Sequence, residues 1–282
     1  MKIREVLEKL CAYHPAVDEE RTCDVVKIGN PDQECTGIAV TVYASIPMIR
    51  KAIAQHCNLI IAHEPLFFSH GDQTDWLEGN SVFEEKQKLL ADHNIVVFRD
   101  HDRIHGEKPG PQRDHVDMIF YGIMKTLGWE DYCVGFDKKP QVYEIPETTL
   151  ESLMQNMVTK LGLNGARYIS NPKAKVKKVF FCEHVNGMNR GGVEKDSELI
   201  KTIESNDYDV MIPFEIIDWT LSEYVRDAAA LGKSKALIEM GHFNVEEAGM
   251  KYMAQWLPEI IENQAPVSFI PSADDFHYYS AE

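Results

Sequence analysis

The sequence has no closely spaced cysteine pair. Its six cysteines, at positions 11, 23, 35, 57, 133 and 182, form no CxxC motif. That excludes a zinc ribbon, and their scatter along a long chain fits reduced thiols better than a disulfide framework. The even spacing of Cys11, Cys23 and Cys35 matches no known ligand pattern. No apolar run approaches the roughly 20 residues that a membrane-spanning helix requires. The opening segment MKIREVLEKLCAYHP lacks the apolar core and small-residue cleavage site of a signal peptide, so the expectation is a soluble, cytoplasmic protein. Repeats and low-complexity tracts are also missing, which excludes solenoids and extensive disorder. Positive charge is scarce: 29 Lys and Arg face 45 Asp and Glu, for a net charge of −16. Such a surface does not bind nucleic acid by neutralising phosphates. It also repels any anionic substrate unless something local, such as a bound dication, reverses the field.

What is present is alternation. Ile3, Val6, Leu7 and Leu10 recur at helical spacing in a first helix over 2–13. A short strand over 24–28 ends at the turn Gly29-Asn30-Pro31. The β-branched and aromatic stretch 37–43 predicts a strand, and Ser45 with Pro47 opens a helix to about His56. Two fully apolar runs, 59–62 and 95–98, read as parallel strands covered on both faces, separated by a helix from Ser81 to His93. Past about His115 the texture changes to helices near 115–127, 149–161, 193–204 and 219–231. Short strands near 142–145, 166–169, 176–182 and 208–212 lie among them. The strand 236–240, a helix opened by an Asn244/Glu247 capping box, and a strand 267–270 return to the first style. The expected fold is therefore α/β with two α/β domains. The first spans residues 1–114 and 233–282 around a mainly parallel three-layer sheet, and the second, 115–232, is inserted into it. The loop from Gly106 to Gln112 and the segment from Gly232 to Lys235 are the expected linkers.

The chemistry sits where three strands end. The first apolar run leads into His63-Glu64-Pro65, and the second into Arg99-Asp100-His101-Asp102-Arg103-Ile104-His105. The strand at 236–240 leads into Gly241-His242, with Glu246 in the first turn of the following helix. Ligands in open parallel sheets bind beyond the carboxyl ends of the strands, so the three ends are expected to converge. Imidazole and carboxylate suit zinc, iron or manganese, which makes His63, Glu64, His105, His242 and Glu246 the candidate metal ligands. Five donors exceed the need of one tetrahedral ion and leave room for two. Each element alone has a plainer explanation: a solvated strand-end histidine, an exposed loop of ion pairs at 99–105, or a carboxylate favouring a helix N-terminus. Three such coincidences at equivalent places favour the metal.

Other features carry less. Glu183-His184 and the Asn186-Gly187 turn follow an apolar strand and read as a loop. Glu215 follows the strand at 208–212 and is a candidate substrate contact. His14, His56, His70, His93, His115 and His277 show no partner pattern. There is no Walker loop, dinucleotide fingerprint or GxSxG elbow.

The segments NLIIAHEPLFF and ALIEMGHFNVEEAGMKYMAQWL resemble the strand-plus-HHPL motif and the closing GH…E motif of the NIF-three-like family, the type 2 GTP cyclohydrolase I group. VVKIGNPDQECTGIAVTVYAS resembles the segment before the family's first metal motif. PETTLESLMQNMVTKLGL and KVKKVFFCEHVNG are similar to parts of its middle domain. The resemblance implies His63, Glu64, His242 and Glu246 as ligands. It puts His105 where the family's His-x-x-x-Asp motif has a bridging carboxylate, and Glu64 where the second histidine of HHPL stands. These departures run in opposite directions, so total ligand charge could be preserved; Asp102 is a substitute carboxylate. The resemblance further implies two α/β domains and a homo-oligomeric ring, typically a hexamer. A metal-dependent hydrolase of a small phosphate-bearing or nucleotide-like substrate is the expected activity. His101 would act as general base or as a partner behind the ligands, and Arg99 or Arg103 would steady an anion. A non-enzymatic metal-binding scaffold or regulatory interaction protein is the rival expectation, and a decayed site the third.

Overall fold

In the computed structural model, residues 1–106, 116–135, 139–185, 194–272, 276–277 and 279 are described. The expected entry loop beyond Gly106 and the Asn186-Gly187 turn lie outside them. The helices are α1 (Ile3–Tyr13), α2 (Ile46–Ala54), α3 (Ser81–Asp92), α4 (Asp102–His105), α5 (Met118–Leu127), α6 (Leu150–Leu161), α7 (Glu194–Asn206), α8 (Leu221–Ala230) and α9 (His242–Ile260). The strands are β1 (Val26–Ile28), β2 (Ile38–Thr41), β3 (Leu59–Ala62), β4 (Val96–Arg99), β5 (Val142–Thr149), β6 (Arg167–Ile169), β7 (Lys175–Val185), β8 (Val210–Ile216), β9 (Ala236–Glu239) and β10 (Val267–Phe269). No helix among the described residues is long and apolar enough to cross a membrane.

The chain divides into two compact units, Met1–Gly122 with Glu246–Ala273, and Ile123–Val245 with Asp274–Glu282. The segment Ile123–Val245 of the second thus lies between the two segments of the first. The first unit's sheet has the order β1-β4-β3-β2-β10. Strands β10, β2, β3 and β4 run parallel, and only β1 is antiparallel, at the edge beside β4. Every residue of β2, β3 and β4 is buried, as continuous apolar runs between covered faces require. Helix α1 buries Ile3, Val6, Leu7 and Leu10 along one stripe. Ser45 caps α2 by accepting from Met48 N at 3.3 Å, and Asn80 caps α3 by accepting from Phe83 N at 3.1 Å.

Helices α5 and α9 approach unusually closely in this unit. A Cβ on Gly249 would fall 2.5 Å from Ile119 Cα, and one on Gly122 would fall 2.5 Å from Gly249 Cα. Only paired glycines permit that crossing.

The second unit's sheet has the order β5-β7-β8-β9-β6. Its centre, β7-β8-β9, is parallel, and the edges β5 and β6 are antiparallel. Residues 233–245 therefore differ from expectation. They were expected to return to the first domain, but β9 pairs with β8 and β6. A buried, apolar strand announces a parallel neighbour without specifying which sheet supplies it.

The expected Asn244/Glu247 capping box is not formed. Gly241, at φ +93°, turns the chain so that α9 starts at His242. Asn244 then donates to Met240 O at 2.8 Å, while Glu247 accepts from Ser272 N and Oγ at 2.6 and 2.8 Å.

Candidate metal centre

In the first unit, β3 ends at His63-Glu64 and the neighbouring β4 ends at Arg99-Asp100-His101. The single turn α4 then carries Asp102 through His105. Its position is fixed by Asp24. One carboxylate oxygen accepts from the backbone N–H groups of His101 (2.8 Å) and Asp102 (2.9 Å), and the other from that of Arg103 (2.7 Å). These are the donors a helix start leaves without partners, and a carboxylate suits them electrostatically.

Three imidazoles meet here. The ring centroids of His63 and His101 are 4.6 Å apart and stacked, those of His63 and His105 are 4.9 Å apart, and those of His101 and His105 are 5.0 Å apart. Each ring is anchored through Nδ1. His63 donates to Asp100 O at 3.0 Å, His101 to Asp102 Oδ1 at 3.0 Å, and His105 to Asp117 Oδ2 at 2.9 Å. Such contacts fix the ring orientation and leave Nε2 as the available atom, the arrangement typical of metal-ligating histidines. Asp117 is itself held by the backbone N–H groups of Ile119 and Phe120.

Glu246 closes the cluster. Its Oε2 lies 3.4 Å from His63 Nε2 and its Oε1 lies 3.9 Å from His105 Nε2. His63 Nε2 is buried and has no hydrogen-bond partner among the described residues. Since Nδ1 carries the proton given to Asp100 O, a neutral His63 turns a lone pair toward a carboxylate. That approach is repulsive unless a cation or a second proton lies between them. Glu64 is also buried, and its ligating oxygen, with His63 and Glu246, forms a triad within 4.8 Å. A second triad of the same span is His63, His101 and His105, and a third is Cys23, His101 and Asp102.

The electrostatics agree with this geometry. Burial opposes a charge on His105, but the charge and hydrogen bond of Asp117, together with Glu246, outweigh it and raise its pKa. The hydrogen bond from His101 holds Asp102 well below the usual carboxylate range, against burial and with help from Cys23 N and Thr22. Burial pushes the Cys23 thiol up to about 12.

The charged run 99–105 is folded inward rather than exposed. Arg99 is 1% exposed; it donates to His63 O at 3.0 Å and to His70 O, with Glu64 Oε2 at 3.7 Å and Asp72 Oδ2 at 3.8 Å. Arg103 binds Glu19 Oε1 at 2.6 Å and Asp24 O at 3.3 Å. Both guanidiniums, expected to meet an anionic substrate, brace the loops that carry the candidate ligands. His14, without a partner pattern in the sequence, lies fully buried with its Nε2 3.1 Å from Asp100 Oδ2. Asp24, Asp117 and Cys23 likewise gave no local signal. Their contacts to the His101–His105 turn span 12 to 79 residues.

His242, expected beside His63, falls in the second unit. There its Nδ1 lies 2.9 Å from Glu215 Oε2, and His184 Nδ1 lies 3.1 Å from Glu215 Oε1. Hydrogen bonds from His184 and then His242 hold the Glu215 pKa down to about 2, against burial. The molecule therefore has several groupings of His, Cys, Asp and Glu able to bind a metal ion, divided between the two units.

Comparison with known proteins agrees with this architecture. The chain is 26% identical over 197 residues to a GTP cyclohydrolase 1 type 2 homolog of Lactococcus lactis, covering 64% of this chain and 69% of that one. A protein of the same description from Clostridium acetobutylicum is 20% identical over 261 residues, covering 91% and 90%. A hypothetical protein of Staphylococcus aureus has a similar structure, with a TM-score of 0.69 at 18% identity, over 99% of both chains. The model of the Duf34/NIF3 (NGG1p interacting factor 3) family matches residues 1–275, and the chain belongs to that family.

Proposed function

We propose that the cluster in the first unit holds a divalent transition ion, zinc, iron or manganese, and that the protein is a metal-dependent hydrolase of a small phosphate-bearing or nucleotide-like substrate. The observation that carries this reading is the Nδ1 anchoring of three neighbouring imidazoles, His63, His101 and His105, the first and last of which turn Nε2 toward Glu246. His63, Glu64, His105 and Glu246 are the ligands. A bound dication supplies Lewis acidity, which brings the pKa of water toward neutrality and offsets substrate charge. That compensation matters in a chain of net charge −16.

His101 is the general base. It is 21% exposed at the side chain, and its Nδ1 is tied to the ionised Asp102, so its Nε2 can take a proton and hand it on. Arg99 holds the His63-Glu64 turn, and Asp24 holds the α4 turn, which keeps the donors in register. Two-ion occupancy, which the resemblance to the family implies, would instead enlist His101, Asp102 and Cys23 at a second position. Metal stoichiometry separates the two arrangements.

Self-association into a ring, typically a hexamer, belongs to the same proposal. Phe68, Trp76 and Val82 of the first unit are exposed large apolar residues of the kind an assembly covers.

The test is turnover of nucleotides and phosphoesters by metal-loaded protein. Activity in the unaltered chain that is lost in His63→Ala and in His101→Ala supports the proposal. No turnover with any of the three metals refutes the enzymatic part and favours a metal-binding scaffold.

A further inference from the structure

The second unit's sheet is covered unevenly on one face. Ile203 of α7 and Leu221 and Val225 of α8 form a buried core there with Tyr208, Met211 and Leu237. At the edge strand β5, Val142 and its cross-strand partner Phe180 pack against that core but are only partly buried. Glu144 and Lys178 are the next pair on the same face, two residues along each strand. A cavity of about 380 Å³ opens at this edge, with Val134, Val142, Glu144, Lys178, Asn206 and Tyr208 in its lining. Its volume falls within the range of small-molecule sites, about 300–1,000 Å³. All of these residues belong to the second unit.

We propose that this cavity binds a small monocarboxylate with an aromatic or aliphatic body. Val134, Val142 and Tyr208 supply the apolar wall. Val134 is 47% exposed, which leaves that wall open to water, and the Tyr208 ring lies against Phe180 at a centroid distance of 4.8 Å. Two groups have donors to spare. The Lys178 ammonium has three N–H donors and gives one to Asn206 O at 3.2 Å; it has no ion-pair partner among the described residues. The Tyr208 hydroxyl has no hydrogen-bond partner among the described residues either. Glu144, by contrast, is already neutralised, since Lys177 Nζ lies 2.5 Å from its Oε1. The charge left uncompensated in the cavity is therefore positive, and an anion matches it.

One ammonium and one hydroxyl suit a single negative charge, which favours a carboxylate over a dianionic phosphate. The site is also remote from the strand ends that carry His184 and Glu215. Lys178 precedes His184 by six residues on β7, a separation of roughly 20 Å at the rise of a strand. The cavity thus lies toward the amino ends of the parallel strands β7 and β8, opposite the ends where ligands of open sheets usually bind. Uneven cover of an edge strand creates it, and no metal takes part.

The experiment is titration of the full chain with sodium benzoate, followed through the methyl NMR signals of Val134 and Val142, with circular dichroism to verify folding of each variant. Saturable shifts of both signals are expected. Lys178→Met should weaken binding at least about tenfold, as loss of a charged hydrogen bond does, whereas Lys175→Met, which removes a charge elsewhere on β7, should leave it unchanged. Benzyl alcohol, of the same shape without the charge, should bind at least about tenfold more weakly than benzoate. Val134→Trp, at an exposed position, should fill the cavity and abolish the shift of Val142. Absence of a saturable shift up to about 10 mM benzoate overturns the site. So does equal affinity for benzyl alcohol, or unchanged benzoate affinity in folded Lys178→Met or Val134→Trp.

Discussion

His63 Nε2 and Glu246 Oε2 face each other at 3.4 Å, both buried, with His63 Nδ1 committed to Asp100 O. A divalent ion or a second proton between them removes the repulsion. Glu246→Gln is expected to weaken metal binding at this cluster by at least about 100-fold, since it removes a ligand and charge where even outlying partners contribute 10–100-fold. Competition against a chromophoric chelator measures it. Affinity within threefold of the unaltered protein would remove Glu246 from the ligand set.

Asp117 anchors His105 from behind. Asp117→Asn preserves shape but removes the charge that raises the His105 pKa against burial. The expected result is a lower His105 pKa, read by NMR in metal-free protein. Metal affinity should be about 10–100-fold weaker.

Asp24 joins three backbone N–H groups of the α4 turn to the buried Arg103. Asp24→Ala leaves those donors and a guanidinium without their shared acceptor, and is expected to cost roughly 3–5 kcal/mol. Denaturant unfolding measures this, and Asp24→Asn should lose less.

How much of this was legible in the sequence depended on distance along the chain. The apolar runs of β3 and β4, the stripe of α1 and the Ser45 cap were readable because their causes are local. So were the strand ends bearing His63, His101 and His105. The identity of β9's sheet was not readable, because an apolar run does not name its neighbour. The partners of Arg99 and Arg103 were not readable for a related reason. A dense charged run resembles an exposed loop until its partners, Glu19, Asp24, Glu64 and Asp72, are brought in from elsewhere. The His184–Glu215–His242 grouping obeys the same strand-end rule as the first cluster. His184 and Glu215 each follow an apolar strand in the sequence, but their meeting with His242 depends on β9 joining their sheet.

The ammonium of Lys86 is buried, donates to Leu66 O at 2.7 Å and lies 4.8 Å from the centroid of the Tyr43 ring. Burial lowers its pKa to about 8, partly offset by Asp72. The folded state therefore releases this proton before the unfolded state does, so the burial penalty is fully present below pH 8 and fades as pH rises toward the unfolded value near 10.5. Relative to Lys86→Met, the unaltered protein should gain stability across that window, by up to roughly 3 kcal/mol. Unfolding curves of both proteins at pH 7.5 and about pH 10.5 read the difference. A constant gap would show that Lys86 is not depressed.

Close packing of α5 on α9 gives a prediction independent of any metal. Gly249→Ala inserts a methyl 2.5 Å from Ile119 Cα and is expected to destabilise by about 1–3 kcal/mol or more, despite alanine's better helix propensity. A thermal melt that rises instead would contradict the close approach.

The central claim is that side chains distant in the sequence assemble a metal-binding cluster in the first unit. Elemental analysis of the unaltered protein tests it most directly, with the chain carrying His63→Ala and Glu246→Gln as the comparison. The account predicts at least one equivalent of zinc, iron or manganese per chain in the former and a loss of that metal in the latter, with both proteins folded. Equal metal content in the two would contradict it.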